Sequence, residues 1–235
     1  MIDKTKEEFL KGQILLIDKP YEWSSFQALN KVKWAIRKKF DLGKKFKIGH
    51  AGTLDPLATG LLIICTGKFT KKIPELQGQI KEYTGTFYLG ATTPSYDLET
   101  VVDHNHPIEH ISTAKIQEVT KTFLGEIQQK PPIFSALKKD GKRAYELARK
   151  GESIELKSRK VTIHEFEITK IEMPEVGFRV VCSKGTYIRS LAHDFGKSLN
   201  SGAYLSALRR TKIGAFHVNN SVAPTDFAKN LSIMR

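Results

Sequence analysis

Between Gly49 and Gly60 the chain sets three glycines and one proline within twelve residues, around a single carboxylate. The run reads Gly49-His50-Ala51-Gly52-Thr53-Leu54-Asp55-Pro56-Leu57-Ala58-Thr59-Gly60. Glycine tolerates tight and left-handed backbone that other residues avoid, so this stretch is a shaped loop. Pro56 fixes the path just behind Asp55. The apolar residues 61–65 that follow return the chain to a strand. Such a loop can present a lone Asp to a ligand from a rigid frame. An Asp before Pro also caps ordinary turns, and the residues alone leave both readings open.

The flanking sequence alternates helices and strands without a strict βαβ rhythm. Residues 13–18 form a buried strand that Lys19-Pro20 ends. Ser24-Ser25 suits the start of a helix to about Lys38, with Phe26, Leu29, Val32 and Ile36 at helical spacing. Residues 39–47 are a basic connection, 68–76 a helix, and 82–89 a strand rich in Thr, Tyr and Phe. Residues 93–107 are polar and turn-like. Ser112 caps a helix that ends at Gly125, with Ile116, Val119, Phe123 and Leu124 on one face. Residues 128–151 are lysine-rich around Pro131-Pro132, with a short helix expected over 144–150. Residues 159–173 and 176–182 pair as strands, and Gly185 leads into a helix whose inner face is Ile188, Leu191, Ala192, Phe195 and Leu199. A last element covers 204–208. The class is α+β, with a mixed, largely antiparallel sheet flanked by helices. No repeat or linker divides residues 1–235, so one domain is expected.

Charge says most about the partner. Lys+Arg 38 against Asp+Glu 25 gives a formal net charge of +13. The cations fall in clusters along the chain (31–47, 68–72, 138–150, 157–160, 209–212) rather than in a tail, which predicts a basic path over a folded surface. That favours a polyanionic partner, with a merely well-solvated basic surface as the alternative. The longest apolar run, 61–65, is far too short to cross a bilayer, and residues 1–11 lack a signal-like apolar core. These features argue against a membrane partner and make the cytoplasm the expected compartment. Cys65 and Cys182 show neither a disulfide framework nor zinc spacing. His104, His106 and His110 lie in a polar stretch without cysteine partners and read as a solvated loop, so no metal is expected. Gly196-Lys197-Ser198 is no phosphate loop, because Leu191 stands where the upstream glycine is needed.

The run 49–62 closely resembles the catalytic motif of the TruB family of pseudouridine synthases, which act on uridine-55 in the T-arm of tRNA. The resemblance makes Asp55 the catalytic residue and gives His50 the space left by a flipped base. It extends almost end to end. Gly12-Gln13-Ile14-Leu15-Leu16-Ile17-Asp18-Lys19-Pro20 is similar to the family's first strand motif, although Glu22 stands where a glycine is usual, so a different turn is expected there. Lys81-Glu82-Tyr83 resembles the strand that lays Tyr83 against the target uracil. Residues 129–149 resemble the insertion that closes on the T-arm, here spanning 126–157, whose Lys138, Lys139 and Arg143 would meet RNA phosphates. Cys182-Ser183-Lys184-Gly185-Thr186-Tyr187-Ile188-Arg189 resembles the motif whose arginine pairs with the catalytic Asp, which assigns Arg189 that role and sets Tyr187 beside the base. Leu208-Arg209-Arg210 resembles the last active-site segment, with Leu208 over the pocket.

The implied fold is that of the pseudouridine synthases, and the implied activity is isomerisation of uridine-55 of tRNA to pseudouridine. About 25 residues follow Arg210, too few for the PUA-type RNA-binding domain many members carry, so the catalytic domain is expected to supply the tRNA footprint alone. A monomer with no obligate protein partner is expected. The reaction breaks the ribose–nitrogen bond, turns the base and rejoins it through carbon 5, adding nothing, so no cofactor is expected. An ionised carboxylate can attack base or sugar, or remove a sugar proton. The rival class is a non-catalytic tRNA-binding or folding module of the same fold; the guide-RNA branch of the family fits a chain of this length less well.

Overall fold

The computed structural model describes residues 4–135, 138–139, 142–143 and 156–233. In chain order the first elements are helix α1 (Lys6–Lys11), strand β1 (Ile14–Lys19), helix α2 (Ser25–Phe40), and strands β2 (Ile48–His50) and β3 (Ala58–Thr66). Helix α3 (Ile73–Gly78), strands β4 (Lys81–Leu89), β5 (Ala91–Thr92) and β6 (His104–Asn105), helix α4 (Thr113–Thr122) and strand β7 (Gly125–Gln129) follow. Then come β8 (Lys138–Lys139), β9 (Lys142–Arg143), β10 (Arg159–Glu172), β11 (Glu175–Cys182) and helix α5 (Ile188–Ser198). Strands β12 (Ala203–Ile213) and β13 (Phe216–His217) and helix α6 (Pro224–Ile233) close the chain. Contacts divide it into two compact units: 1–83 with 208–235, and 84–207. Strands β4 and β12 each run through the division.

In the first unit β3 is the central strand. It pairs antiparallel with β1 (Leu16↔Ile63) and β2 (Gly49↔Cys65), and parallel with β12 (Leu208↔Ala58, Arg210↔Gly60), so the sheet is mixed. Its inner residues are buried on both faces, which is why 61–65 is apolar without alternation. Leu62 and Ile64 pack with Val32 and Ile36 of α2 and Phe227 and Leu231 of α6; Leu61 and Ile63 pack with Leu76 and Ile213 on the other side. Gly60 has φ +103, and a Cβ there would run into the Arg210 carbonyl.

Helix α2 starts as expected. Ser24 and Gln27 form a capping box, and Asp41 ends the helix in the left-handed region. Phe26 departs from its expected inward position and is 65% exposed. The inner face here belongs to Ser25, Ala28 and Leu29, because the buried Ser25 hydroxyl is held by Leu54. The 68–76 helix is a 3₁₀ turn (Gly67–Lys72) followed by α3, where Pro74 sits at the first helical positions. The last element is longer than expected and carries Arg209 and Arg210 inside strand β12. The turn after Pro20 is left-handed without glycine: Glu22 has φ +63, at a cost of roughly 1–2 kcal/mol.

In the second unit the strand order is β4-β11-β10-β7. Strand β10 is antiparallel to β11 (Phe166↔Val180) and to β7 (Val161↔Ile127). Phe87, Phe166, Phe178 and Phe195 of α5 make an aromatic core, with Phe87 and Phe178 stacked at 4.1 Å. Strand β7 had no sequence signal of its own, being mostly polar; helix α4 accordingly stops at Thr122, and Gly125, at φ +89, turns the chain into β7. Strands β8 and β9 pair through Lys138↔Arg143. The side chains of Lys138, Lys139 and Arg143, and the helix expected over 144–150, lie outside the described residues.

Candidate active site

The Asp55 loop is clamped from three sides within the first unit. Ser25 Oγ accepts from the Leu54 amide and donates to the Leu54 carbonyl, at 2.8 and 2.9 Å. Lys19, fully buried at the end of β1, donates through Nζ to the carbonyls of Pro20, Trp23 and Pro56. It therefore ties the turn bearing Glu22 to the residue that follows Asp55. Arg210, also buried, donates from Nε to the Leu61 carbonyl (2.8 Å) and from Nη2 to the Gly52 carbonyl (3.0 Å). Inside, the Asp55 carbonyl accepts from the Ala58 amide at 3.1 Å, closing a turn over Pro56. Seven main-chain groups of 52–61 are thus fixed, and such a loop presents its carboxylate in one geometry.

The electrostatics of the loop are cationic. Burial pulls the Lys19 ammonium down to about 8; the Asp55 charge opposes that shift and Arg210 reinforces it. The mutual influence puts Lys19 within Coulombic reach of Asp55. His50, at the end of β2, is held below the usual imidazole range, first by burial and then by Arg210. Its Nδ1 is buried without a hydrogen-bond partner among the described residues. A neutral ring with an unused nitrogen remains, able to donate or accept according to its tautomer.

Leu208 enters through the parallel register of β12 on β3, opposite Ala58, three residues from Asp55, and its carbonyl accepts from Thr59 Oγ1 at 3.4 Å. The next residue, Arg209, grips Asp18 with two bonds of 2.7 and 3.0 Å, fixing β12 to the end of β1. Tyr83 is 8% exposed on β4. Its neighbour Glu82 points to the other face of the strand, where Thr211 and Lys212 bind the carboxylate. Of the expected set, Asp55, His50, Leu208 and Tyr83 belong to the first unit.

Tyr187 and Arg189 belong to the second unit. Gln129 locks Tyr187 by accepting from its amide and donating to its carbonyl, and the Arg159 guanidinium lies 4.6 Å from the Tyr187 ring centre. Arg189 is 4% exposed on the first turn of α5. Its Nε lies 3.6 Å from Asp97, while Nη1 and Nη2 donate to the carbonyls of Ser95 and Phe134. Asp97 is thus an arginine partner that the sequence did not point to. Lys19, Ser25 and Arg210 were likewise missed as site residues. The only signal for Lys19 was a lysine directly after a strand with no exposed face.

His104 is exposed, and His110 is taken by the Leu199 carbonyl. Among the described residues no group of three or more His, Cys, Asp or Glu side chains could hold a metal, and no helix is long and apolar enough to cross a membrane.

A family model described as "TruB family pseudouridylate synthase (N terminal domain)" matches residues 37–188. A protein of Flavobacterium johnsoniae called tRNA pseudouridine synthase B is 70% identical over 97% of this chain and 99% of its own length. One of the same name from Parabacteroides distasonis is 53% identical over 93% of each chain. Among solved structures, a Cbf5-Nop10-Gar1 complex contains a chain that aligns with TM-score 0.68 and 31% identity. The alignment covers 92% of this chain and 53% of that one, so this chain spans about half its length. The fold and the loop define a pseudouridylate synthase, and the chain belongs to the TruB family of these enzymes.

Proposed function

We propose that this protein isomerises uridine-55 in the T-arm of tRNA to pseudouridine, with Asp55 as the catalytic carboxylate. Support for the reaction and for tRNA comes from relatives called tRNA pseudouridine synthase B that match over nearly their whole length. The observation that carries the role of Asp55 is its loop, pinned by Ser25, Lys19 and Arg210 so that a single carboxylate stands beside a buried ammonium. The target atoms of a stacked uridine are out of reach, so the nucleotide must leave the stack. A neutral His50 at the loop's start suits the vacated space, because it can hydrogen-bond bases without the cost of desolvating a charge. In this reading Tyr83 and Tyr187 lie along the uracil, Leu208 keeps water from the bond being broken, and Arg189 supports the charge of Asp55. Excluding water strengthens each of these electrostatic contacts. Lys138, Lys139 and Arg143 take phosphates of the T-arm. The protein acts as a monomer in the cytoplasm.

Asp55 then serves as nucleophile or as base toward the ribose, and the base returns through carbon 5 with release of its hydrogen. The test is tritium release from tRNA labelled at carbon 5 of uridine. Asp55→Asn should release tritium at least about 100-fold more slowly than wild type while still binding tRNA. Equal rates would remove Asp55 from the chemistry. Tight binding by wild type with no release would make the protein a non-catalytic tRNA-binding module.

A further inference from the structure

The first unit holds a cavity of about 530 Å³ that the catalytic loop does not use. Its rim carries Lys45, Lys47, Lys68 and Lys71, and its wall includes Leu42 and Phe46. No carboxylate is among the described residues that line it. The two apolar walls are rooted in the core under α2, so the floor is rigid while the lysines are free to meet a ligand. The size falls in the range of small-ligand sites. Apolar walls below a ring of cations suit a flat, weakly polar body attached to an anion, which is the chemistry of a nucleotide.

We infer that this pocket receives one unpaired nucleotide of the bound RNA, its base against Phe46 and Leu42 and its phosphates on the four lysines. The inference rests on the proposed action on tRNA and adds a second contact to it. The fold ties the pocket to the catalytic loop: Lys47 immediately precedes β2, which ends at His50. Its carbonyl is held by the Gly67 amide, so the strand cannot swing away. At about 3.3 Å per residue, the lysine rim begins roughly 10 Å along the strand from His50. An RNA whose flipped nucleotide lies at the loop can therefore reach the pocket with its neighbouring nucleotides. Charge favours RNA over a neutral partner, since four lysines with no lining carboxylate concentrate anions.

Two changes probe the pocket without touching the catalytic loop. Gly43 lines it, its backbone is not left-handed, and a Cβ there meets nothing within 4 Å, so Gly43→Trp can fill the cavity without changing its charge. The double variant Lys45→Gln with Lys68→Gln removes charge without filling it. Binding of full-length tRNA is titrated at several salt concentrations, alongside melting temperatures and the isomerisation rate at saturating tRNA. Gly43→Trp should weaken tRNA binding about tenfold with an unchanged salt slope. The lysine pair should weaken it and lower the slope by about 0.7 per lost contact. Both should keep the melting temperature and the saturated rate. Uridine monophosphate at millimolar concentration separates RNA from a free nucleotide as the occupant. Unaltered tRNA affinity and slope in both variants would overturn the inference, including the case in which only the free nucleotide binds. Weakened binding in both variants, in a protein that performs no isomerisation, would leave the pocket standing and remove the catalytic reading instead.

Discussion

The two units bury their cations in different company. In the first, Lys19 and Arg210 give their hydrogen bonds to main-chain carbonyls, so their charge is not cancelled at short range and is felt at Asp55 and His50. In the second, Arg189 sits 3.6 Å from the carboxylate of Asp97. The first arrangement shapes a loop and leaves a positive field at Asp55 and His50. The second ties separate stretches of chain together, at Ser95 and Phe134. The units also titrate differently. Lys19 loses its proton near 8, whereas burial raises the Asp194 carboxyl to about 6 against the opposing charge of Lys197.

The largest effect is expected from Arg189→Met, which strips the cation from the buried Asp97 and two carbonyls. A cost of about 3–5 kcal/mol follows, read by urea unfolding. A cost below that of Lys19→Met would erase the distinction between the two kinds of burial. For Lys19→Met, three carbonyls lose a donor and about 2–3 kcal/mol is expected, together with a fall in isomerisation at saturating tRNA. Because the folded Lys19 releases its proton near pH 8, the rate of wild type should decline above that pH, and Lys19→Arg should remove the decline. Stability moves the other way. The penalty of a buried ammonium is fully present below pH 8 and is relieved toward 10.5, as the unfolded chain keeps its proton longer. The smallest effect belongs to Asp194→Asn. The folded Asp194 holds its proton up to about 6, so its favourable contribution, complete below about 3.8, is gone above 6. The substitution should raise stability by about 1 kcal/mol at pH 7 and leave it unchanged at pH 4; a gain equal at both would show that titration of Asp194 is not the cause.

Much of the fold could be read from local pattern. The capping box at Ser24, the apolar run of β3 and the β10–β11 hairpin are decided by neighbours in sequence. What escaped depends on distant contacts. Strand β7 is polar and acquires its structure from pairing with β10, thirty residues on. Phe26 has helical spacing, yet Ser25 takes the inward place because Leu54 binds it. In the site, the glycine-rich loop drew attention to Asp55, and the family resemblance rather than any local pattern pointed to its role and to His50. Lys19 and Arg210 carry residue types that are normally solvated, and only the folded loop turns them into its anchors. Glu22 is a further case: it turns left-handed without being glycine, between the Pro20 and Trp23 carbonyls that the Lys19 side chain binds.

At Gly60 the missing side chain lets β3 and β12 approach until a Cβ would strike the Arg210 carbonyl. The separation between the Asp55 loop and Leu208 is therefore a main-chain dimension, like the gap of a spark plug. On the proposed reading of the site, variants meant to admit a bulkier base must trim side chains such as Leu208, for any residue larger than glycine at 60 would force the electrodes apart and let the Asp55 loop drift.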